Sequence, residues 1–245
     1  ALAGAYVEGA QGGRNGLHPD SVACVVKHWV GYGAARDGFD GHNYYGRFSA
    51  FPAGAFADHV RAFDGAFDAG VAGVMPTYNI LDGLELDGTP VEPVGAGFNA
   101  QLIDGMLRTD RRYRGLVLSD WAITRDSSES CRTGEPPQGP DAIAMCWGVE
   151  ELARSERFAK AINAGVDQLG GEDDPAPLLE AIANGSIDVR RVDEAVRRVL
   201  TQKFELGLFE RPFVDPVTAG ETVGTADSLA EGVDAQRRAL VVLTG

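Results

Sequence analysis

Gly115-Leu116-Val117-Leu118-Ser119-Asp120-Trp121 decides the fold. The apolar run is too short for a helix and is bounded by polar residues, the pattern of a strand buried on both faces. It stops at a carboxylate followed by an indole. Catalytic groups in α/β barrels sit where strands end. Asp120 is therefore a candidate reactive group, and Trp121 offers a flat face to a sugar ring. The plainer alternative makes Asp120 a helix cap after the strand and Trp121 a core residue.

Working outward, four strand–helix units follow one another. Residues 21–28 (SVACVVKH) read as a strand ending in Lys27-His28, before a loop rich in glycine and aromatics over 31–51. A helix is expected over 54–69, where Phe56, Val60, Phe63 and Phe67 recur at helical spacing. Residues 71–78 (VAGVMPTY) form the next strand, with Met75 in the core, and 99–107 the next helix. After the strand ending at Asp120 comes a long loop, about 122–148. Helix 156–164, strand 165–171 (GVDQLGG), helix 175–184 and helix 189–206 complete the series. The last carries a stripe of Val192, Ala195, Val196, Val199 and Leu200.

Alternation of this kind implies a parallel sheet. Long loops follow the strands and short ones precede them, as on one face of a barrel. A full eight-stranded barrel takes ~250 residues, and only four units are visible here. The fold expected is α/β: a TIM-like (β/α)8 barrel present only in its later part, 1–209. Residues 210–228, rich in Pro, Gly and Thr, read as a linker. A helix and the strand-like ALVVL (239–243) then begin a second α/β domain, 229–245.

The 245 residues carry a net charge of −14, from 36 acidic and 22 basic side chains. That balance argues against nucleic acid and anionic membranes as partners. No apolar run approaches the ~18 residues of a membrane span, and no signal peptide is visible at the start. Cys24 reads as a small buried hydrophobe; Cys131 and Cys146 flank a Pro/Gly-rich loop and can pair in an oxidising compartment. His18, His28, His42 and His59 lack zinc-ligand spacing. Glu172-Asp173-Asp174 reads as a solvated helix start rather than a cation site. No metal and no cofactor are expected.

VVKHWVGYG, GVMPTYNILDG, GLVLSDW, INAGVDQLGG and RRVDEAVRRVLTQKFELGLFERPFVDP, in this order, resemble glycoside hydrolase family 3. The resemblance implies a β-glucosidase-like enzyme that releases terminal β-D-glucose from β-glucosides or short β-glucans with retention. It implies Asp120 as nucleophile, Lys27 and His28 as partners of sugar hydroxyls, Tyr78 beside the nucleophile with its hydroxyl tuning the carboxylate, and Trp121 lining the sugar site. It places further sugar-binding residues in an N-terminal barrel half, and the acid/base glutamate in a C-terminal domain that DAQRRALVVLTG begins. It favours a periplasmic or secreted location.

Two other readings stand beside this one. The β-N-acetylhexosaminidase branch of the family uses an Asp-x-His dyad as acid/base, and Asp40-Gly41-His42 has that form. The pair otherwise belongs to a substrate rim with Tyr32, Phe39, Tyr44 and Tyr45. Alternatively the chain is a non-catalytic sugar-binding fragment. A Schiff-base Lys27 has no other support in the sequence.

Overall fold

The computed structural model describes residues 1–138 and 145–243. The central sheet is built from β1 (Val25–Trp29), β3 (Gly73–Pro76), β7 (Leu116–Trp121) and β8 (Gln168–Gly170). They lie in the order β1-β3-β7-β8, and every neighbouring pair is parallel. This is the parallel α/β sheet that the alternating pattern predicts. Val74 pairs with Val117 at its centre, and both are fully buried, which is why these strands carry no polar alternation. Two minor pairs sit in the loops: β2 (Phe48–Ser49) with β4 (Ile80–Leu81), and β5 (Glu85–Leu86) with β6 (Thr89–Pro90).

The chain opens with helix α1 (Leu2–Gln11). Its last side chain, Gln11, is fully buried. Gln11 donates to the Gly70 carbonyl (2.9 Å) and accepts from the Ala72 amide (2.9 Å) and the Cys24 amide (3.3 Å). Ser21 likewise donates to the Gln11 carbonyl, and the Val22 amide to Ala10. These bonds take up the groups that a longer strand would have used, so β1 starts at Val25 rather than Ser21.

The helix expected over 54–69 is divided into α2 (Phe56–Arg61) and α3 (Asp64–Asp68). Phe63, at the break, packs edge-on against Trp29 with ring centres 5.1 Å apart. Gln101–Asp110 winds as a π-helix with Leu102, Ile103 and Leu107 buried. The later helices are α4 (Glu129–Thr133), α5 (Arg154–Ala164), α6 (Ala176–Ala183) and α7 (Val189–Glu205). On α7 the expected apolar stripe is buried only at Ala195, while Val196 and Leu200 are exposed. Cys131 and Cys146 are buried thiols with no disulfide between them.

One tie spans the sheet and α7. The carboxylate of Asp167, just before β8, is wholly buried and meets Arg108 (2.6 Å), Arg191 (3.0 Å) and Arg198 (2.7 Å). It also accepts the Val117 amide of β7 at 3.0 Å.

The chain divides into two compact units, Ala1–Leu206 and a segment starting at Gly207. That segment holds α8 (Pro216–Thr222) and α9 (Ala226–Ala239). α8 falls inside the stretch read as linker. Asp215 caps it by accepting the Val217 amide (3.0 Å), with Pro216 in the first turn. Leu240–Leu243, expected as a strand, are exposed and outside any strand. Among the described residues no neighbouring strand bonds their backbone, and a strand forms only against one. No described helix is long and apolar enough to cross a membrane.

Candidate active site

Asp120 is the second-to-last residue of β7 and is 5% exposed. The amide of the next residue, Trp121, donates to its Oδ1 at 2.8 Å. Ser119 donates to the Asp120 carbonyl (2.7 Å) and accepts the Gly170 amide (2.8 Å), locking this strand end to β8. On the other oxygen, His28 Nε2 lies 3.3 Å from Oδ2. His28 is the fourth residue of β1, and the next residue, Trp29, is fully buried. Trp29 donates its indole N–H to the Leu102 carbonyl at 3.0 Å. A rigid anchor thus stands directly behind His28.

Burial pushes the His28 pKa down, and the nearby Lys27 and His42 add to that, while Asp120 and Asp40 oppose it. The neutral imidazole then places an N–H on Nε2 towards the carboxylate, leaving Nδ1 as acceptor. This depressed pKa predicts a pH effect. Below the ordinary histidine value near 6.5 the unfolded chain binds a proton that the folded one does not, so stability falls as pH drops through that range. Urea midpoints of wild type and His28→Gln, followed from pH 7.5 to 5.5, should converge towards acid. Parallel curves would contradict it.

Tyr78, two residues past β3, is buried at 4% exposure. Its hydroxyl donates to the Trp121 carbonyl at 2.8 Å. The Asp120 carboxylate is a second hydrogen-bonding neighbour of the same hydroxyl, as the sequence leads one to expect. Burial and the Asp120 charge hold the hydroxyl far above its ordinary pKa. Trp121 itself is 63% exposed. It lies over Gly171 (φ 68°), where an added Cβ would come 2.6 Å from the indole, so only glycine leaves room for the ring there. The structure therefore makes Trp121 a surface platform and not a core residue. Lys27 is exposed and makes no ion pair among the described residues.

Asp40 and His42 also arrive at this end of the sheet. Asp40 Oδ1 accepts the His42 amide (2.8 Å), sits 2.5 Å from His42 Nδ1 and accepts the Tyr32 hydroxyl (3.0 Å). Partial burial pushes the Asp40 pKa up, but these donors outweigh it and hold the carboxyl below its ordinary value. The His42 ring packs edge-on against Tyr78, centres 4.9 Å apart. The loop is fixed from beneath: Trp147 donates to the Gly41 carbonyl (2.9 Å), and Asn79 to the Gly46 carbonyl (2.7 Å). Asp40 and His42 stay about half exposed.

The structure therefore brings Asp120, His28, Tyr78, Trp121, Asp40 and His42 to one end of the sheet, with Lys27 beside His28. Phe39 and Tyr45, both about half exposed, stand 6.1 Å apart on the same loop. Asn79 and Trp147 were not singled out in the sequence; the only signal was their position inside the loops after strands. Glu172 is not a solvated residue: its side chain is 5% exposed and pairs with Arg154 at 2.7 Å.

The profile of the glycosyl hydrolase family 3 N-terminal domain matches residues 1–202. A periplasmic β-glucosidase/β-xylosidase of Dickeya chrysanthemi is 49% identical over 97% of this chain and 36% of its own length. A probable β-glucosidase C of Aspergillus flavus is 37% identical over 98% of this chain and 35% of its own. Among solved structures, a β-glucosidase from Listeria innocua in complex with glucose superposes with a TM-score of 0.61. It is 25% identical, over 86% of this chain and 25% of that one. The chain thus spans 36% and 35% of the two curated relatives' lengths. With the profile covering its whole sheet and most of α7, the chain belongs to glycosyl hydrolase family 3.

Proposed function

We propose that this chain carries the nucleophile of a retaining β-glucosidase. The observation that carries the reading is Asp120: a buried carboxylate at a strand end, with one oxygen held by its neighbour's amide and the other facing His28. Asp120 attacks the anomeric carbon of a terminal β-glucosyl unit and displaces the aglycone. Water then attacks the anomeric carbon from the face the aglycone left, expelling the Asp120 carboxylate and restoring the β-configuration. His28 and Lys27 hydrogen-bond ring hydroxyls, and Tyr78 holds the backbone behind the nucleophile. The Trp121 indole offers an apolar face to the sugar. The names of its relatives support glucosides, and that of the Dickeya protein also supports xylosides.

The four parallel strands form part of a (β/α)8-type barrel over 1–209, followed by a connecting segment, 210–228, and the start of a second α/β domain, 229–245. The remaining barrel strands and a second domain with the acid/base carboxyl complete the full-length protein. Its location is periplasmic or secreted, in keeping with the Dickeya relative.

The Asp40–His42 contact of 2.5 Å favours one second reading, in which this dyad delivers and removes the proton. A non-catalytic sugar-binding role is the remaining alternative. The deciding experiment treats the full-length protein with a 2-fluoro-2-deoxy-glucosyl reagent and maps the adduct by peptide mass. One adduct on the Asp120 peptide is the expected result. An adduct elsewhere, or steady turnover with no adduct, overturns the assignment. Faster hydrolysis of an aryl N-acetylglucosaminide than of the glucoside would select the dyad reading.

A further inference from the structure

Tyr32 belongs to no reactive motif, yet it joins the two halves of this site. It opens a one-turn 3₁₀ segment just past β1. Gly31 before it has φ 93°, and a Cβ there would meet the Phe51 ring at 2.4 Å, so the turn is fixed. From that turn the Tyr32 hydroxyl reaches Asp40 Oδ1 at 3.0 Å, while its ring lies 5.0 Å from the His28 ring. The contacts close a circuit. Asp120 faces His28, whose ring meets that of Tyr32 at a tilt of 40°, and Tyr32 bonds Asp40. Asp40 holds His42, whose ring meets Tyr78, and Tyr78 returns to the Trp121 carbonyl beside Asp120.

We infer that Tyr32 is a positioning residue. Its hydroxyl ties the start of the 31–46 loop, next to β1, to the Asp40–His42 turn further along it, and its ring holds His28 in the orientation that meets the Asp120 carboxylate. The inference rests on the reading of Asp120 and His28 given above. Three donors converge on one carboxylate oxygen, and Tyr32 is the only one of them from outside the Asp40–His42 turn. Removing its O–H unties the Tyr32 ring, and with it the packing on His28, from the Asp40–His42 turn that Trp147 and Asn79 hold in place. Burial and the Asp40 charge raise the Tyr32 pKa to about 12, so it stays protonated as a donor at neutral pH.

The test uses the full-length protein with Tyr32→Phe, Asp40→Asn and the double variant. Phe keeps the ring and removes only the O–H. Each single variant should lower kcat on an aryl β-glucoside about tenfold, the size of one charge-assisted hydrogen bond. KM should change little, and the double variant should be no worse than the poorer single one. Additive losses, or a Tyr32→Phe enzyme with wild-type kcat, overturn the inference.

A second measurement does not depend on activity: the titration midpoint of His28 followed by imidazole NMR. Loosening the loop exposes the ring to water, so the midpoint should rise towards 6.5 in Tyr32→Phe. The charges acting on His28, Asp120, Lys27, His42 and Asp40, are all retained in that variant. An unchanged midpoint overturns the inference even if the enzyme assay shows no wild-type turnover. Absence of a trapped adduct at Asp120 in wild type would instead count against the functional reading alone.

Discussion

Asp120→Asn in the full-length protein is expected to lower kcat on aryl β-glucosides by at least about 10⁴-fold, since loss of a covalent nucleophile removes the first chemical step. Asparagine has the same shape. Its oxygen can still accept the Trp121 amide that now bonds Oδ1 at 2.8 Å, so β7 keeps its geometry and the thermal midpoint should barely move. What goes is the negative charge and the attacking lone pair. Asp120→Gly opens space as well, and added azide should then restore turnover by attacking the anomeric carbon from the vacated face. The product would be the α-glucosyl azide, because a single displacement inverts where two retain. A variant within tenfold of wild type, or a rescued product of β-configuration, would remove Asp120 from the role.

The second large effect concerns stability. Asp167→Asn should destabilise the 1–206 unit by about 3–5 kcal/mol, the usual cost of removing one member of a buried charge group. The Asp167 side chain is wholly buried, and the side chains of Arg108, Arg191 and Arg198 are 11%, 16% and 27% exposed. Without the carboxylate three guanidinium groups face each other around a neutral amide, and burial already pushes the Arg108 pKa down. Asparagine can still accept the Val117 amide, so the loss isolates charge from backbone bonding. Urea denaturation monitored by tryptophan fluorescence gives the value directly. A shift under about 1 kcal/mol would mean that water reaches the cluster and screens it.

Much of this architecture is legible in the sequence. β3 and β7 stand out because strands buried on both faces are almost purely apolar, and α5 and α7 because their patterns run for several turns. Asp120 and His28 are legible as strand-end residues, and local pattern needs only the rule that chemistry gathers there. The failures have equally physical causes. α1 gave no signal because its anchoring residue is a glutamine whose bonds go to residues about 13 to 61 positions away. The π-helix at 101–110 is hidden because three buried positions fit either helical period. Leu240–Leu243 have the composition of a strand, and composition does not supply a neighbour. Tyr32 reads as one aromatic among several in a glycine-rich loop, and its bond to Asp40 exists only once the loop is folded. Asp167 looks like an ordinary polar residue within GVDQLGG; the three arginines that meet it lie on other elements.

The amide that orients the Asp120 carboxylate belongs to the very next residue, and the hydroxyl that locks the same strand end belongs to the one before. The aiming of this carboxylate is written into three consecutive residues of the sheet, while the aromatics above it ride on a separate loop between 31 and 46. Apart from the Tyr32–Asp40 bond and the ring contact on His28, the two can diverge independently. Changing the length and composition of the loop between Gly31 and Arg47 re-shapes what can enter without re-aiming Asp120, provided that the new loop keeps both Tyr32 and its acceptor Asp40.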